Sequence, residues 1–281
     1  MTTLDERWGL GTLDSPAERT FRAEARAWLR DAGQVGSAGD ATDPAIDELR
    51  GWEGQIATAG YAAVDWPTAY GGAGGTRTMQ AIFDEEYALA GAPDRVNVIG
   101  SRLVGPTLMQ WGTEEQRRWW LPRILACDDL WSQGFSEPDA GSDLSAVRTR
   151  ATLQGDVLRL DGQKIWTTYG PWADWIFVLA RTGPGIPRRH DGLSFLLVDL
   201  RSSGISIAPI RQVNAHEGFA EVVFDGVEVP VANLVGPLHR GWSVAMSTLA
   251  HERGAGTVSS GLLIRDLETV SQFAADLDVL G

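Results

Sequence analysis

Two short segments in the middle of the chain hold residues whose types and spacing could carry chemistry. The first is Trp131-Ser132-Gln133-Gly134-Phe135-Ser136-Glu137-Pro138-Asp139-Ala140-Gly141-Ser142-Asp143. It reads as a strand entering a Pro/Gly turn that gathers Ser136, Ser142 and several backbone N–H groups in a small space. Such a turn can bond a carbonyl or phosphate oxygen without any net positive charge. It also reads as a plain hairpin whose serine and aspartate satisfy their own backbone. The second segment is Lys164-Ile165-Trp166-Thr167-Thr168-Tyr169-Gly170, followed by Ala173-Asp174-Trp175. A strand end bearing Trp166 and Thr168 offers a stacking surface and a donor to a flat heterocycle, or else a cross-strand aromatic pair on a half-buried sheet.

The elements that must position these residues follow from the pattern on either side. Ser15-Pro16-Ala17-Glu18 is a capping box with proline at the first helical position, and Phe21, Ala25, Trp28 and Leu29 then fall on one face. Asp43-Pro44 opens a second helix that should stop at Gly60. The turn-rich stretch from Asp65 to Gly75 follows, and two further helices are expected over Thr76–Gly91 and Arg95–Trp111. Thr113-Glu114-Glu115-Gln116 caps a shorter helix ending near Ala126. From Asp129 the period changes to that of strands: Leu130–Phe135, Arg148–Leu153, Val157–Leu160, Lys164–Thr168, Trp175–Arg181, Leu193–Asp199, Ile205–Pro209 and Glu221–Phe224. Turns are expected at Asp161-Gly162, Gly183-Pro184-Gly185 and Asp225-Gly226. Helical pattern returns from Gly241 to about Leu280. The expectation is an α+β protein: a helical domain over 1–127, an antiparallel β-barrel or sandwich over 128–236, and the start of a C-terminal helical bundle over 237–281.

Composition excludes several classes. The chain has 281 residues, 43% hydrophobic, with a formal net charge of −13. That charge argues against nucleic acid, which needs clustered cations. Its longest apolar runs fall far short of the roughly 20 residues that span a bilayer, and the first ten residues have no signal-peptide core. A cytoplasmic location is therefore expected. One cysteine, Cys127, permits no intrachain disulfide and reads as a small buried hydrophobe, and the four histidines have no metal-ligand spacing. Among the basic residues Lys164 is the single lysine, which reads as genome composition. The glycine run Gly71–Gly75 follows a loop rather than a strand, so a nicotinamide site is not expected. Arg188-Arg189-His190 reads as a solvated turn, and Asp143 and Asp174 read as turn caps.

Taken together, the two segments resemble the acyl-CoA dehydrogenase family, whose pattern runs Ser/Thr-Glu-Pro-x-Ala-Gly-Ser-Asp, then Lys-x-Trp-Ile/Thr-Thr/Ser, a spacer and Ala-Asp. Ala180-Arg181-Thr182, the strand from Glu221 to Pro230, and Gly241-Trp242 … Leu249-Ala250-His251-Glu252-Arg253 continue it in order. The resemblance covers roughly Pro16 to Leu267. It implies FAD as cofactor, an acyl-CoA thioester as substrate and α,β-dehydrogenation to an enoyl-CoA. It also implies an electron-transfer flavoprotein as acceptor and a homo- or hetero-oligomer. By the same resemblance Gln133, Phe135 and Ser136 line the flavin, and Ser136 serves its pyrimidine edge. Gly141 is a further cofactor-binding position, and Ser142 meets the FAD pyrophosphate or the phosphates of CoA. Trp166 packs on the ring, Thr168 lies near its reactive nitrogen, and Arg253 helps hold substrate.

The chemistry itself sets demands. The α-proton of a thioester is weakly acidic, so the enolate needs donors at its carbonyl oxygen and the base needs an apolar surrounding. Most family members place the base further along than this chain extends, and a subset places it at the position of Glu252. Two readings of Glu252 stay open: that base, or a helix-surface or ion-pairing carboxylate. The resemblance also implies that most of the C-terminal helical domain lies beyond this chain. A partial, flavin- or acyl-CoA-binding subunit of a heteromeric enzyme is therefore the alternative function, and a flavin oxidase or monooxygenase on the same scaffold is a third.

Overall fold

The structure, a computed structural model, describes residues 8–32, 43–184, 188–213, 215, 217–254 and 260–276. The capping boxes form as read. Ser15 N donates to Glu18 Oε2 at 2.7 Å while Glu18 N donates to Ser15 Oγ at 3.3 Å, opening α1 (Pro16–Asp31). Each such cap stabilises its helix by about 1 kcal/mol. The helices α2 (Asp43–Thr58) and α3 (Arg77–Leu89) follow. A π-helical turn over Ile99–Val104 then runs into α4 (Gly105–Trp111), where the pattern had suggested one helix from Arg95. The Thr113–Gln116 box opens α5 (Glu114–Ala126), and Gln116 Nε2 also donates to the carbonyls of Ala232 and Leu234 at 2.7 and 2.9 Å. Cys127 caps α5 in the left-handed conformation, and burial pushes its thiol up to about 12.

Residue contacts divide the chain into two units. The first comprises Met1–Gly39, Ala63–Asp94 and Gly256–Gly281. In it α1 and α3 pack together, and α3 packs on α7 (Ser260–Asp276). Arg22 anchors this helical unit, reaching Asp14 at 2.7 Å, Glu85 at 2.7 Å and Glu86 at 2.8 Å. Burial works against its charge, but the three carboxylates outweigh it and hold the guanidinium above its ordinary value.

The second unit, Asp40–Ala62 with Arg95–Ala255, holds the sheet. Its strands are β1 (Trp131–Gly134), β2 (Arg150–Gln154), β3 (Val157–Thr168), β4 (Trp175–Arg181), β5 (Leu193–Asp199), β6 (Ile205–Ile210), β7 (Phe219–Pro230) and β8 (Leu234–Val235). They lie in the order β6-β7-β3-β2-β4-β5-β8, with β1 pairing β4. The α, β, α order stands. The sheet is open rather than closed, and it is mixed: β1 runs parallel to β4, as does the short contact of β2 with β4. Both faces of β4 and β5 are buried, which explains their unbroken apolar runs. One face, with Ile176, Val178, Leu196 and Val198, joins the main core. On the other, Phe177 and Phe195 stack at 5.2 Å with Phe135 edge-on to both.

Two expected turns are not turns. Asp161-Gly162 and Asp225-Gly226 face each other within one long β3–β7 ribbon, where the register shifts between Leu160 and Gly162. Gly226 sits at φ 64° and its N–H donates to Asp161 Oδ1 at 2.8 Å, so the sequence signal for a reversal marks a bulge instead. The expected strands Val157–Leu160 and Lys164–Thr168 are thus one strand, and β8 is additional. The final helical stretch holds α6 (Gly241–Gly254) and α7. No helix among the described residues is long and apolar enough to cross a membrane.

Candidate functional site

The end of β1 and the end of β3 meet. Ile165 N donates to Ser136 O at 3.0 Å, and Ser132 Oγ donates to Thr168 O at 2.8 Å. Between these two links the β3–β7 register slips a second time: Lys164 pairs with Val222, the next pair is Thr167 with Ala220, and Ile165 and Trp166 both oppose Glu221. This bulge places Trp166 at φ 60°. A bulky residue in the left-handed region is strained by roughly 1–3 kcal/mol and persists only where the surroundings enforce it. Its indole is 55% exposed and stands edge-on to Phe219 at 6.0 Å. Both readings of Trp166 are therefore met at once: it makes a cross-strand aromatic pair and still offers an open face.

Three residues at these strand ends carry polar groups without partners among the described residues. Ser136, Thr168 and Gln133 are half-buried. Among the described residues, the Ser136 amide and hydroxyl donate to nothing, and the Thr168 hydroxyl and the Gln133 side chain make no hydrogen bond. β1 has β4 as its one ladder partner among the described strands. Unpaired half-buried donors beside an exposed ring suit a planar heterocycle with hydrogen-bonding edges, and the residues fit a flavin. Phe135 differs from its neighbours, since its ring turns into the core.

Beyond Ser136 the chain makes a tight turn in which Glu137 and Ala140 exchange backbone bonds at 3.0 Å each. Gly141 and Ser142 follow it, both exposed, and no described bond joins either to Ser136 or to β3. Asp143 accepts from Ser145 Oγ at 2.6 Å and Arg189 Nη1 at 2.7 Å. Asp174 accepts from Arg50 at 2.6 Å and from Leu130 N at 2.9 Å. Both aspartates thus hold turns, as their setting suggested.

Glu252 is on α6, and no described bond joins it to these residues. Val244, Ala245 and Thr248 form the buried side of that helix, with Thr248 Oγ1 2.9 Å from Thr107 Oγ1 of α4. Four residues on, half-buried Glu252 continues the same stripe and makes no hydrogen bond or ion pair among the described residues. Arg253 is on the same helix, with its side chain outside the described residues.

Sequence reasoning missed the pair beneath the site. Lys164 is fully buried and its Nζ donates to Phe135 O at 3.0 Å, Glu137 Oε1 at 2.8 Å and Leu179 O at 2.9 Å. Glu137 also accepts from Arg148 N at 2.7 Å and Thr149 N at 2.9 Å. Burial draws the ammonium down to about 8 against the pull of Glu137. Burial works to raise the Glu137 carboxyl, but Lys164 and the two N–H donors outweigh it and hold it below the usual range. A signal was present: one lysine in a chain that otherwise uses arginine marks a place a guanidinium does not fit.

Residues 15–128 match the family model for the acyl-CoA dehydrogenase N-terminal domain, and residues 132–227 that for the acyl-CoA dehydrogenase middle domain. The chain is 43% identical over 262 residues to acyl-CoA dehydrogenase IpdE1 of Mycobacterium tuberculosis, covering 90% of this chain and 68% of that one. Among solved structures it is similar to the Tcur3481-Tcur3483 steroid ACAD, with a TM-score of 0.83 and 34% identity over 95% of this chain and 69% of the other. The ChsE4-ChsE5 complex from Mycobacterium tuberculosis matches with a TM-score of 0.71 and 35% identity, over 84% of this chain and 60% of that one. Helical domain, sheet domain and matches together define a flavoprotein oxidoreductase of the kind that acts on CH–CH groups. The chain belongs to the acyl-CoA dehydrogenase family, whose members generally bind FAD, and it spans about two thirds of the length of these relatives.

Proposed function

We propose that this chain binds FAD at the junction of β1 and β3 and takes part in α,β-dehydrogenation of an acyl-CoA thioester to an enoyl-CoA. The observation that carries the reading is Trp166, exposed and held left-handed at a bulge beside the unpaired donors of Ser136 and Thr168. FAD, when bound, supplies the acceptor for the substrate's β-hydrogen. In this reading Trp166 covers a ring face, while Ser136 and Thr168 donate to ring edges and Gln133 lies alongside. The strand at Phe135 runs alongside the ring, Gly141 is a further cofactor contact, and the hydroxyl of Ser142 faces the phosphates of FAD or of CoA. Glu252 removes the α-proton, and Arg253 helps to hold the thioester. An electron-transfer flavoprotein then takes the electrons. The domain boundaries fall near residues 127 and 236, and the protein works in the cytoplasm.

A second reading is favoured by α7. Leu263, Leu267, Val270 and Phe273 lie at helical spacing on one face and are all exposed, a larger apolar stripe than soluble monomers commonly present. With a heteromeric relative in ChsE4-ChsE5, this supports a subunit that acts together with a second polypeptide.

Visible absorption of the purified chain with added FAD, followed by anaerobic titration with fatty and steroid-derived acyl-CoA thioesters, tests both. Bound flavin that bleaches with a thioester, and fails to bleach in Glu252→Gln, supports the first reading. Bound flavin that bleaches only after a second polypeptide is added supports the second. No flavin binding under either condition rejects both.

A further inference from the structure

Lys164 is the last residue of β3 in register before the bulge that carries Trp166. Its ammonium has three N–H groups, and Phe135 O, Glu137 Oε1 and Leu179 O use all three. The Phe135 contact has a geometric consequence. The Phe135 C=O and the Ser136 N–H belong to one planar trans peptide, so they point in opposite directions. Fixing the carbonyl on Lys164, inside, turns the Ser136 N–H outward. The Ser136 carbonyl is held separately by Ile165 N at 3.0 Å, within the bulge itself. Glu137, the next residue, is locked by the same ammonium and by the amides of Arg148 and Thr149, at the far end of the turn.

We propose that Lys164 is a positioning residue for the candidate cofactor site: its ammonium aims the Ser136 N–H and fixes the turn that follows. The proposal rests on the reading of that site as the flavin cradle. Three acceptors converging on one nitrogen suit an ammonium, whereas a guanidinium spreads its donors over a plane. Glu137 is the charged side chain that acts on Lys164, and it acts in turn on Arg181 of β4. Leu179 of β4 and Val222 of β7, which also face it, bring no titratable group.

The test uses the whole chain and two readouts. In Lys164→Met, hydrogen exchange at the Arg148, Thr149 and Ile165 amides is expected to speed up about tenfold or more relative to Phe177 and Leu197 in the β4–β5 ladder, the effect of losing a charged hydrogen bond. The FAD dissociation constant, read from flavin fluorescence, is expected to rise by a similar factor. Exchange that is unchanged, or raised equally at all five amides, overturns the proposal. FAD bound equally by wild type and variant also sinks the role of Lys164 and leaves the cofactor reading standing. A wild type that takes up no FAD removes the cofactor reading itself.

Should Lys164→Met fail to fold, the wild-type chain carries the test. Any opening that hydrates Lys164 takes up a proton between about 8 and the ordinary 10.5. Protection of the Arg148, Thr149 and Ile165 amides, corrected for intrinsic exchange, must then rise with pH across that window. A level profile at these three overturns the coupling.

Discussion

The β3–β7 ribbon is interrupted twice, and the two bulges are built from opposite kinds of residue. At the first, glycine takes the unusual backbone: Gly226 at φ 64° and Gly162 at φ 146°, where a Cβ would meet the backbone of Thr149 at 2.7 Å. At the second, the left-handed position falls to Trp166, which has every steric reason to avoid it. The glycine bulge bends the ribbon at little cost, with Asp161 accepting from Gly226 N as its brace. The tryptophan bulge stores strain, and Lys164, Glu137 and Ser136 brace it from beneath. Folding alone would have been served by glycine in both places. The difference teaches where the chain gives up stability, which is at the end of β3 that holds the open indole.

The strongest way to break the second bulge is to remove its brace. Lys164→Met leaves the Glu137 carboxylate buried without its cation, and chemical denaturation should show a loss of about 3–5 kcal/mol. The same group gives a pH signature in the wild type. Its folded value of about 8 lies below the ordinary 10.5, so the unfolded chain binds more protons across that window. The unfolding free energy should therefore rise with pH there, and the variant should lack the rise. Gly162→Ala attacks the first bulge, combining a forbidden backbone with a clash against Thr149, and should cost about 2–4 kcal/mol. Gly226→Ala meets only the movable Arg159 side chain at 2.6 Å, so backbone strain of about 1–2 kcal/mol should be the whole effect. The smallest shift is expected at Trp166→Gly. Relief of about 1–2 kcal/mol of strain offsets the lost contact with Phe219, worth about 0.5–1.5 kcal/mol, so stability should move by less than about 1 kcal/mol. FAD retention, measured by filtration and absorbance, should nonetheless fall. A large loss of stability there would mean that the tryptophan is structural and the contrast between the bulges is false.

The features legible in the sequence were those decided by neighbouring residues. The boxes at Ser15 and Thr113 each need four residues, and the apolar strand runs need five or six. Asp161-Gly162 and Asp225-Gly226 misled because the same local chemistry that reverses a chain also permits a bulge, and only the facing strand decides between them. The parallel pairing of β1 with β4 is likewise a tertiary choice between segments 44 residues apart. Of the site, Ser136, Trp166 and Thr168 were legible as types, and the structure brings their strand ends together. The inward ring of Phe135 was hidden because strand alternation is lost at the strand's end. Lys164 was passed over because a lone lysine in an arginine-rich chain looks like codon preference until its burial is seen.

That burial has a practical side. With one lysine in 281 residues, an endoproteinase specific for lysine has a single peptide bond to cut, Lys164–Ile165, and the folded chain closes it off inside a strand. Amine-directed labels and crosslinkers likewise find only the N-terminal amine while the fold holds. The chain thus carries its own one-site reporter: the rate at which two defined fragments appear reads out how often the middle of the ribbon opens, without any added probe.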